Sequence, residues 1–166
     1  MIRSRKTALS LLLLLILTAT GIYWGQKNKA PALELVSVEG QRISLEALRG
    51  HPVLVSFWAS DCRSCLEEIP ELVSLHEQYA QRGLKLLAIA MPYDPPSRVL
   101  NLAKDWHLPY SVILDPLGQA VAAFGQVNLI PHHFLIDAKG IIRQDMLGKI
   151  TLESFRPSLE KLLEEH

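Results

Sequence analysis

The hydrophobic period of this chain changes at a pair of cysteines, and that change restricts the fold more than any other feature. Pro52 to Trp58 (PVLVSFW) is a nearly continuous apolar run, as a central strand buried on both faces requires. From Cys62 the period becomes helical: Leu66, Ile69, Leu72, Val73, His76 and Tyr79 recur at helical spacing, and Gly83 supplies a stop signal. Cys62 and Cys65 thus fall just after a buried strand and in the first turn of a helix. Residues i and i+3 of a helix hold their β-carbons about 5–6 Å apart, close enough for a disulfide after modest adjustment. A bridge that closes so small a loop constrains the unfolded chain little, so a stabilising role explains the pair poorly. The pair points to chemistry instead.

Residues 33–166 read as one domain in which strands and helices alternate. Leu33 to Val38 and Arg42 to Ser44 are predicted strands around a Glu39-Gly40 turn. Leu84 to Met91 (LKLLAIAM) is a second buried strand, and Ser111 to Leu114 a short one. Pro95 to His107 reads as a helix entered through Pro95-Pro96, and Gly118 to Phe124 as another. His133 to Ile136 and Ile141 to Arg143 form a hairpin over Asp137-Ala138-Lys139-Gly140, with Gly140 suited to a positive φ. Thr151 to Glu164 closes the chain as an amphipathic helix. The order β-β-β-α-β-α-β-α-β-β-α predicts an α/β fold with a mixed central sheet flanked by helices.

The first 25 residues do not belong to that pattern. Arg3, Arg5 and Lys6 precede a 17-residue apolar run from Ala8 to Trp24. As a helix the run is about 25 Å long, slightly short of a hydrocarbon core of about 30 Å. Tyr23 and Trp24 end it where an interfacial aromatic belt is expected. Residues 1–25 are therefore expected to be a transmembrane signal anchor, followed by a polar linker over 26–32. A cleaved signal peptide ending near Ala19-Thr20-Gly21 is the alternative, and the aromatic end favours the anchor. Positive charge ahead of the run keeps the N-terminus cytoplasmic. In a bacterium this places a single-pass protein in the inner (cytoplasmic) membrane with its domain on the periplasmic side. The chain has 17 basic and 17 acidic residues, and without the three leader charges 14 basic face 17 acidic. With no basic run and sparse aromatics, nothing suggests nucleic acid.

A C-x-x-C at the start of a helix has a chemical logic. Unpaired backbone N–H groups and the helix dipole stabilise a thiolate at the first cysteine. Cys62 is therefore the expected attacking thiol, and Cys65, one turn inside, the resolving thiol that displaces a mixed disulfide. Glu68 lies three residues beyond Cys65 and shares its helical face, whereas Glu67 and Glu71 point elsewhere. A carboxylate there can exchange a proton with the resolving thiol as a general base.

With the strand, the C-x-x-C, the helix containing Pro70, and Ile130-Pro131 ahead of the hairpin, the chain resembles the thioredoxin superfamily. Within it, the similarity over residues 33 to 165 is strongest to the membrane-tethered TlpA/ResA/CcmG-like branch. The resemblance implies a thioredoxin-like fold in which Pro131 is cis and lies against the disulfide. Ile130 then presents a backbone edge to an extended substrate, and His132 and Trp58 join the same substrate-binding surface. The branch also commonly places an active-site glutamate at the position of Glu68. Four positions depart from the family pattern. Asp61 stands where many members have Trp, and Ser64 where Pro is common. His132 replaces a small hydroxyl residue, and Ser56 occupies the strand position of a buried Asp.

The function implied is a thiol–disulfide oxidoreductase that reduces client proteins, such as apocytochrome c or oxidised copper-site cysteines. Its redox group is the Cys62–Cys65 disulfide, with no other cofactor and no metal. No flavin or nicotinamide motif is present, so electrons are expected from a membrane thiol carrier. A copper(I) chaperone using the two thiolates with His132 or His133 is the alternative, since thiolate and imidazole suit Cu(I). A peroxidase is disfavoured because the T-x-x-C that positions its threonine is missing: Ala59 stands at that place.

Overall fold

The computed structural model describes residues 28–164. The expected anchor over residues 1–25 lies outside the described residues, as does the start of the linker. Among the described residues, no helix is long and apolar enough to cross a membrane.

A hairpin of β1 (Glu34–Val36) and β2 (Arg42–Ser44) forms a two-stranded sheet of its own, joined to the main sheet by a bridge between Ser37 and Ile113. The main sheet holds β3 (Val53–Trp58), β4 (Lys85–Ala90), β5 (Ser111–Leu114), β6 (His132–Ile136) and β7 (Ile142–Leu147). Its strand order is β5-β4-β3-β6-β7. β3 is parallel to β4 and antiparallel to β6, so the sheet is mixed as expected. The helices are α1 (Arg63–Tyr79), α2 (Pro96–Asp105), α3 (Gln119–Ala123) and α4 (Leu152–Glu164). The element order is the one read from the sequence, with ends shifted by a few residues.

All six residues of β3 are buried, which explains its unbroken apolar run. Alternation divides them between two cores. Leu54 and Trp58 face α1 and α4, where they join Leu72, Leu75, Phe155 and Leu159. Val53, Val55 and Phe57 face the other side, with Phe124, Phe134 and Leu45. Across the α1–α4 seam, Glu160 accepts hydrogen bonds from the Tyr79 hydroxyl (2.9 Å) and from both terminal nitrogens of Arg82 (2.9 and 2.6 Å).

Two readings need correction. The linker expected over 26–32 is not free along its described length. Lys29 bridges Ile141, Ala30 N–H donates to Gly140 O (2.8 Å), and Ile142 N–H donates to Asn28 O (2.7 Å). Backbone pairing with the sheet edge overrides a composition that reads as loop. Second, β7 runs to Leu147 rather than Arg143 because Gln144 to Leu147 continue the pairing with β6, past a bulge that leaves Arg143 without a partner between Ile136↔Ile142 and Leu135↔Gln144. The polar Gln144 and Asp145 gave no strand signal; an edge strand with one wet face tolerates them.

His76 on α1 is half-buried and meets Tyr110 edge to face, ring centroids 6.2 Å apart. Burial holds its imidazole below the ordinary histidine value of 6.5, with Glu77 opposing the shift. The folded state therefore binds its proton more weakly than the unfolded chain. The resulting contribution to stability is present above about pH 6.5 and is lost as pH falls. A His76→Phe variant is expected to lose less stability than the parent between about pH 7 and pH 5, measured by urea denaturation.

Candidate active site

Cys62 caps the N-terminus of α1: its backbone is extended (φ −86°, ψ 103°), and its sulfur accepts a hydrogen bond from Cys65 N–H at 3.2 Å. The first turn of the helix thus aims an orphan donor at Cys62 Sγ, as helix-terminus physics requires. Ser64 Oγ lies 3.4 Å from the same sulfur and shares a hydrogen bond with it. The departure from proline at this position therefore supplies a second polar partner to Cys62. Donors of this kind favour the thiolate form. The two cysteines form a disulfide, with Cα atoms 5.3 Å apart. Cys62 is half-buried, whereas Cys65 is only 3% exposed. An incoming thiol or disulfide can reach the first sulfur and not the second.

Glu68 follows on the inner face of α1 and is 2% exposed. Its Oε1 accepts a hydrogen bond from Ile150 N–H in the loop before α4. Its neighbours on the helix behave differently. Glu67 sits outside and pairs with Lys149 (2.9 Å) and Arg63 (2.9 Å), which hold its carboxyl below the usual range. Glu71 accepts from Leu152 N–H at 2.9 Å. Arg63 itself is 92% exposed and engaged by Glu67, so its charge is directed away from Cys62.

The Ile130-Pro131 peptide bond is cis. Pro131 is buried, and its carbonyl accepts from Gly148 N–H at 2.8 Å. Ile130 is half-buried and packs beside Cys62 in the apolar clusters on both sides of the sheet. Its backbone makes no bond to the rest of the described chain, which leaves an edge open for an extended partner. His132, the next residue, pairs with Asp145 and stacks on Phe134 at 4.7 Å. Trp58 is not at the substrate surface where the family resemblance put it. It is 5% exposed and packs behind Cys65, because strand alternation turns residues 54, 56 and 58 of β3 toward α1.

The sequence reading missed a second buried acid. Asp94 is 5% exposed and accepts the Ser60 hydroxyl at 2.6 Å and also the Ser60 N–H. It fixes the loop between β3 and Cys62 from a site 34 residues away. No local signal marks such a contact. An Asp94→Ala variant leaves the Ser60 N–H without its acceptor and is expected to lose about 1–3 kcal/mol. Urea denaturation reads that loss, and faster alkylation of reduced Cys62 would report the loosened loop.

The comparisons agree with this geometry. A model of the AhpC/TSA family matches residues 27–145. The chain is 29% identical over 135 residues to the thiol-disulfide oxidoreductase ResA of Bacillus thuringiensis subsp. konkukian, covering 81% of this chain and 77% of that protein. Identity to the thiol-disulfide oxidoreductase ResA of Geobacillus thermodenitrificans is 28% over 171 residues, covering 96% of this chain and 97% of that protein. Among solved structures, a thiol:disulfide interchange protein of the thioredoxin family from Chlorobium tepidum TLS superposes with a TM-score of 0.75. It is 28% identical and covers 82% of this chain and 96% of its own. The fold is thioredoxin-like.

Proposed function

This chain belongs to the AhpC/TSA family and has the fold and cysteine pair of a thiol–disulfide oxidoreductase, and we propose that it reduces disulfides of client proteins outside the cytoplasm. The observation that carries the reading is the inequality of the two cysteines: an accessible Cys62 with two polar partners, and a Cys65 buried beside a carboxylate. In the cycle, the Cys62 thiolate attacks a client disulfide and one client sulfur leaves as thiolate. Cys65 then attacks Cys62 Sγ, and the second client sulfur leaves with the electron pair of the broken bond. A membrane thiol carrier returns two electrons by opening the Cys62–Cys65 bond.

Clients with paired cysteines presented in extended segments suit the open Ile130 edge, and apocytochrome c or oxidised copper-site cysteines are of that kind. Ile130, Pro131 and His132 form the docking edge. Residues 1–25 anchor the domain in the inner membrane of a bacterium, on the periplasmic side. The described chain enters the domain at the Ile141 end of β7, which pairs with the end of β6 farthest from Pro131. Such a tether presents the disulfide at the opposite pole of the sheet from its attachment point. No nucleic acid and no further cofactor enter this scheme.

The copper alternative fares less well on geometry. His132 and His133 diverge to opposite sheet faces, the first held by Asp145 and the second fully buried. Among the described residues, no group of three His, Cys, Asp or Glu side chains converges as a metal site needs.

Equilibration of the purified protein with glutathione or dithiothreitol buffers, combined with an insulin-reduction assay, tests the reading. A potential below about −200 mV with catalysed insulin reduction is expected, and a value near −120 mV would make the protein an oxidant. Stoichiometric Cu(I) retained against a chelator would favour the chaperone instead.

A further inference from the structure

The core behind the disulfide holds polar groups that exchange between the two thiols and a client disulfide does not use. His133 is 0% exposed. Antiparallel pairing sets it opposite Ser56 of β3, itself 1% exposed, so both project toward α1. There Glu68 Oε1 lies 3.1 Å from His133 Nε2. The contact is close but not aligned as a hydrogen bond: both ring nitrogens of His133, like Ser56 Oγ and Trp58 Nε1, are without hydrogen-bond partners. A cavity of about 10 Å³ joins Ser56, Trp58, Cys65 and Glu68. Buried polar atoms are nearly always hydrogen-bonded, so Ser56 Oγ and Trp58 Nε1 beside Cys65, and the two ring nitrogens of His133 beside Glu68, call for a chemical reason.

We propose that His133 is a positioning residue for proton exchange at Cys65, acting through Glu68. The inference rests on the dithiol cycle described above and adds a residue to it. In the mixed disulfide, the Cys65 thiol gives its proton to the Glu68 carboxylate. The resulting thiolate attacks Cys62 Sγ, the Cys62–Cys65 bond forms, and the client sulfur leaves with the electron pair. A carboxylate this deeply buried can serve as a base only if its charged form is supported. Ile150 N–H gives one donor. His133, with a proton on Nε2 and a turn of its ring, gives the second. The imidazole can also hold the transferred proton while Glu68 stays charged. The pair then takes up one proton without leaving an unpaired charge in the core.

The surroundings leave this assignment little competition. On α1 the titratable groups on this side are Glu68, Cys65 one turn earlier, and His76 two turns later, which reaches only the Tyr110 ring. Tyr110 faces Glu68 from the segment before β5, and burial and the Glu68 charge push its phenol up, so it stays protonated. β3 and β7 place Ser56 and Met146 opposite His133, and neither titrates.

The test uses the reduced protein, with Cys62 converted to its mixed disulfide by Ellman's reagent. Cys65 resolves that adduct and releases the coloured thiolate, followed in single turnover from about pH 5 to about pH 9. A His133→Leu variant is expected to resolve about tenfold more slowly at neutral pH, its profile moved up by about one pH unit. His133→Asn keeps an N–H donor and is expected to restore the rate to within about threefold. In a Glu68→Gln background, adding His133→Leu is expected to change the rate less than about twofold. A His133→Leu profile that overlays the parent's overturns the proposal, as does an equal slowing in the Glu68→Gln background. Should the Leu variant fail to fold, His133→Thr replaces it, with the same outcomes. Absence of any thiolate release by the parent protein would instead overturn the dithiol cycle itself.

Discussion

A Cys65→Ser variant is expected to stop turnover and accumulate a covalent adduct with its substrate, while Cys62→Ser forms no adduct at all. The reason is the burial difference between the two sulfurs. Cys62 caps α1 with its sulfur half-open, and Cys65 N–H and the Ser64 hydroxyl stand ready to support its charge. Cys65 is reached only from Cys62, 5.3 Å away between Cα atoms. Without Cys65 the mixed disulfide has no resolving thiol, so client release falls to the slow attack of external thiols. Either substitution is expected to lower the steady-state rate of insulin reduction on the order of 10³-fold or more, as removal of an obligate nucleophile does. Non-reducing electrophoresis and intact mass distinguish the two variants. Adducts of equal yield on both cysteines would show that the sulfurs are equally accessible and would remove the assignment of roles.

The largest effect on stability is expected from Phe57→Ala, at about 3–5 kcal/mol. Phe57 is 0% exposed and meets Phe124 and Phe134 edge-on, with ring centroids 5.5 and 6.0 Å apart. Phe124 and Phe134 are themselves 4.8 Å apart, so one ring ties α3 and β6 to the central strand. Deletion leaves a cavity that the closely paired strands on either side cannot collapse to fill. His132 stacks on Phe134, and the start of β6 follows Pro131 directly, so the docking edge is expected to loosen as well. Urea denaturation measures the first consequence. The Arg63→Ala substitution provides the contrast: its ion pair with Glu67 is exposed and screened by solvent, and its loss is expected to leave the urea midpoint close to the parent's. A Phe57→Ala protein as stable as the Arg63→Ala protein would show that the aromatic cluster is not a structural centre.

Much of the architecture was readable because local signals and burial agree. The unbroken run in β3 and the helical period after Cys62 describe elements whose burial is decided by their own residues, and both lie where the pattern puts them. Leu84 to Met91 and Ser111 to Leu114 behave likewise. The ends of β7 and the pairing of residues 28–30 were not readable. Their strand character comes from backbone bonds to a neighbour, which side-chain pattern does not encode. In the site, spacing alone placed Glu68 on the face of Cys65. Alternation required one of His132 and His133 to turn inward, but not which partner it would meet.

By itself, then, the sequence determined the disulfide, the order of its cysteines and the helix that carries them, because i and i+3 spacing at a helix start is a local matter. Tertiary structure alone decided what surrounds that pair. The Asp94 anchor of Ser60 is 34 residues away in sequence, and the Glu68 contacts with Ile150 and His133 join α1 to a distant loop and strand. Such contacts depend on which face of the sheet a helix covers, and strand order sets that face. Trp58 shows the same rule in reverse: the family resemblance suggested a surface role, and the pleat of β3 turned it into the core.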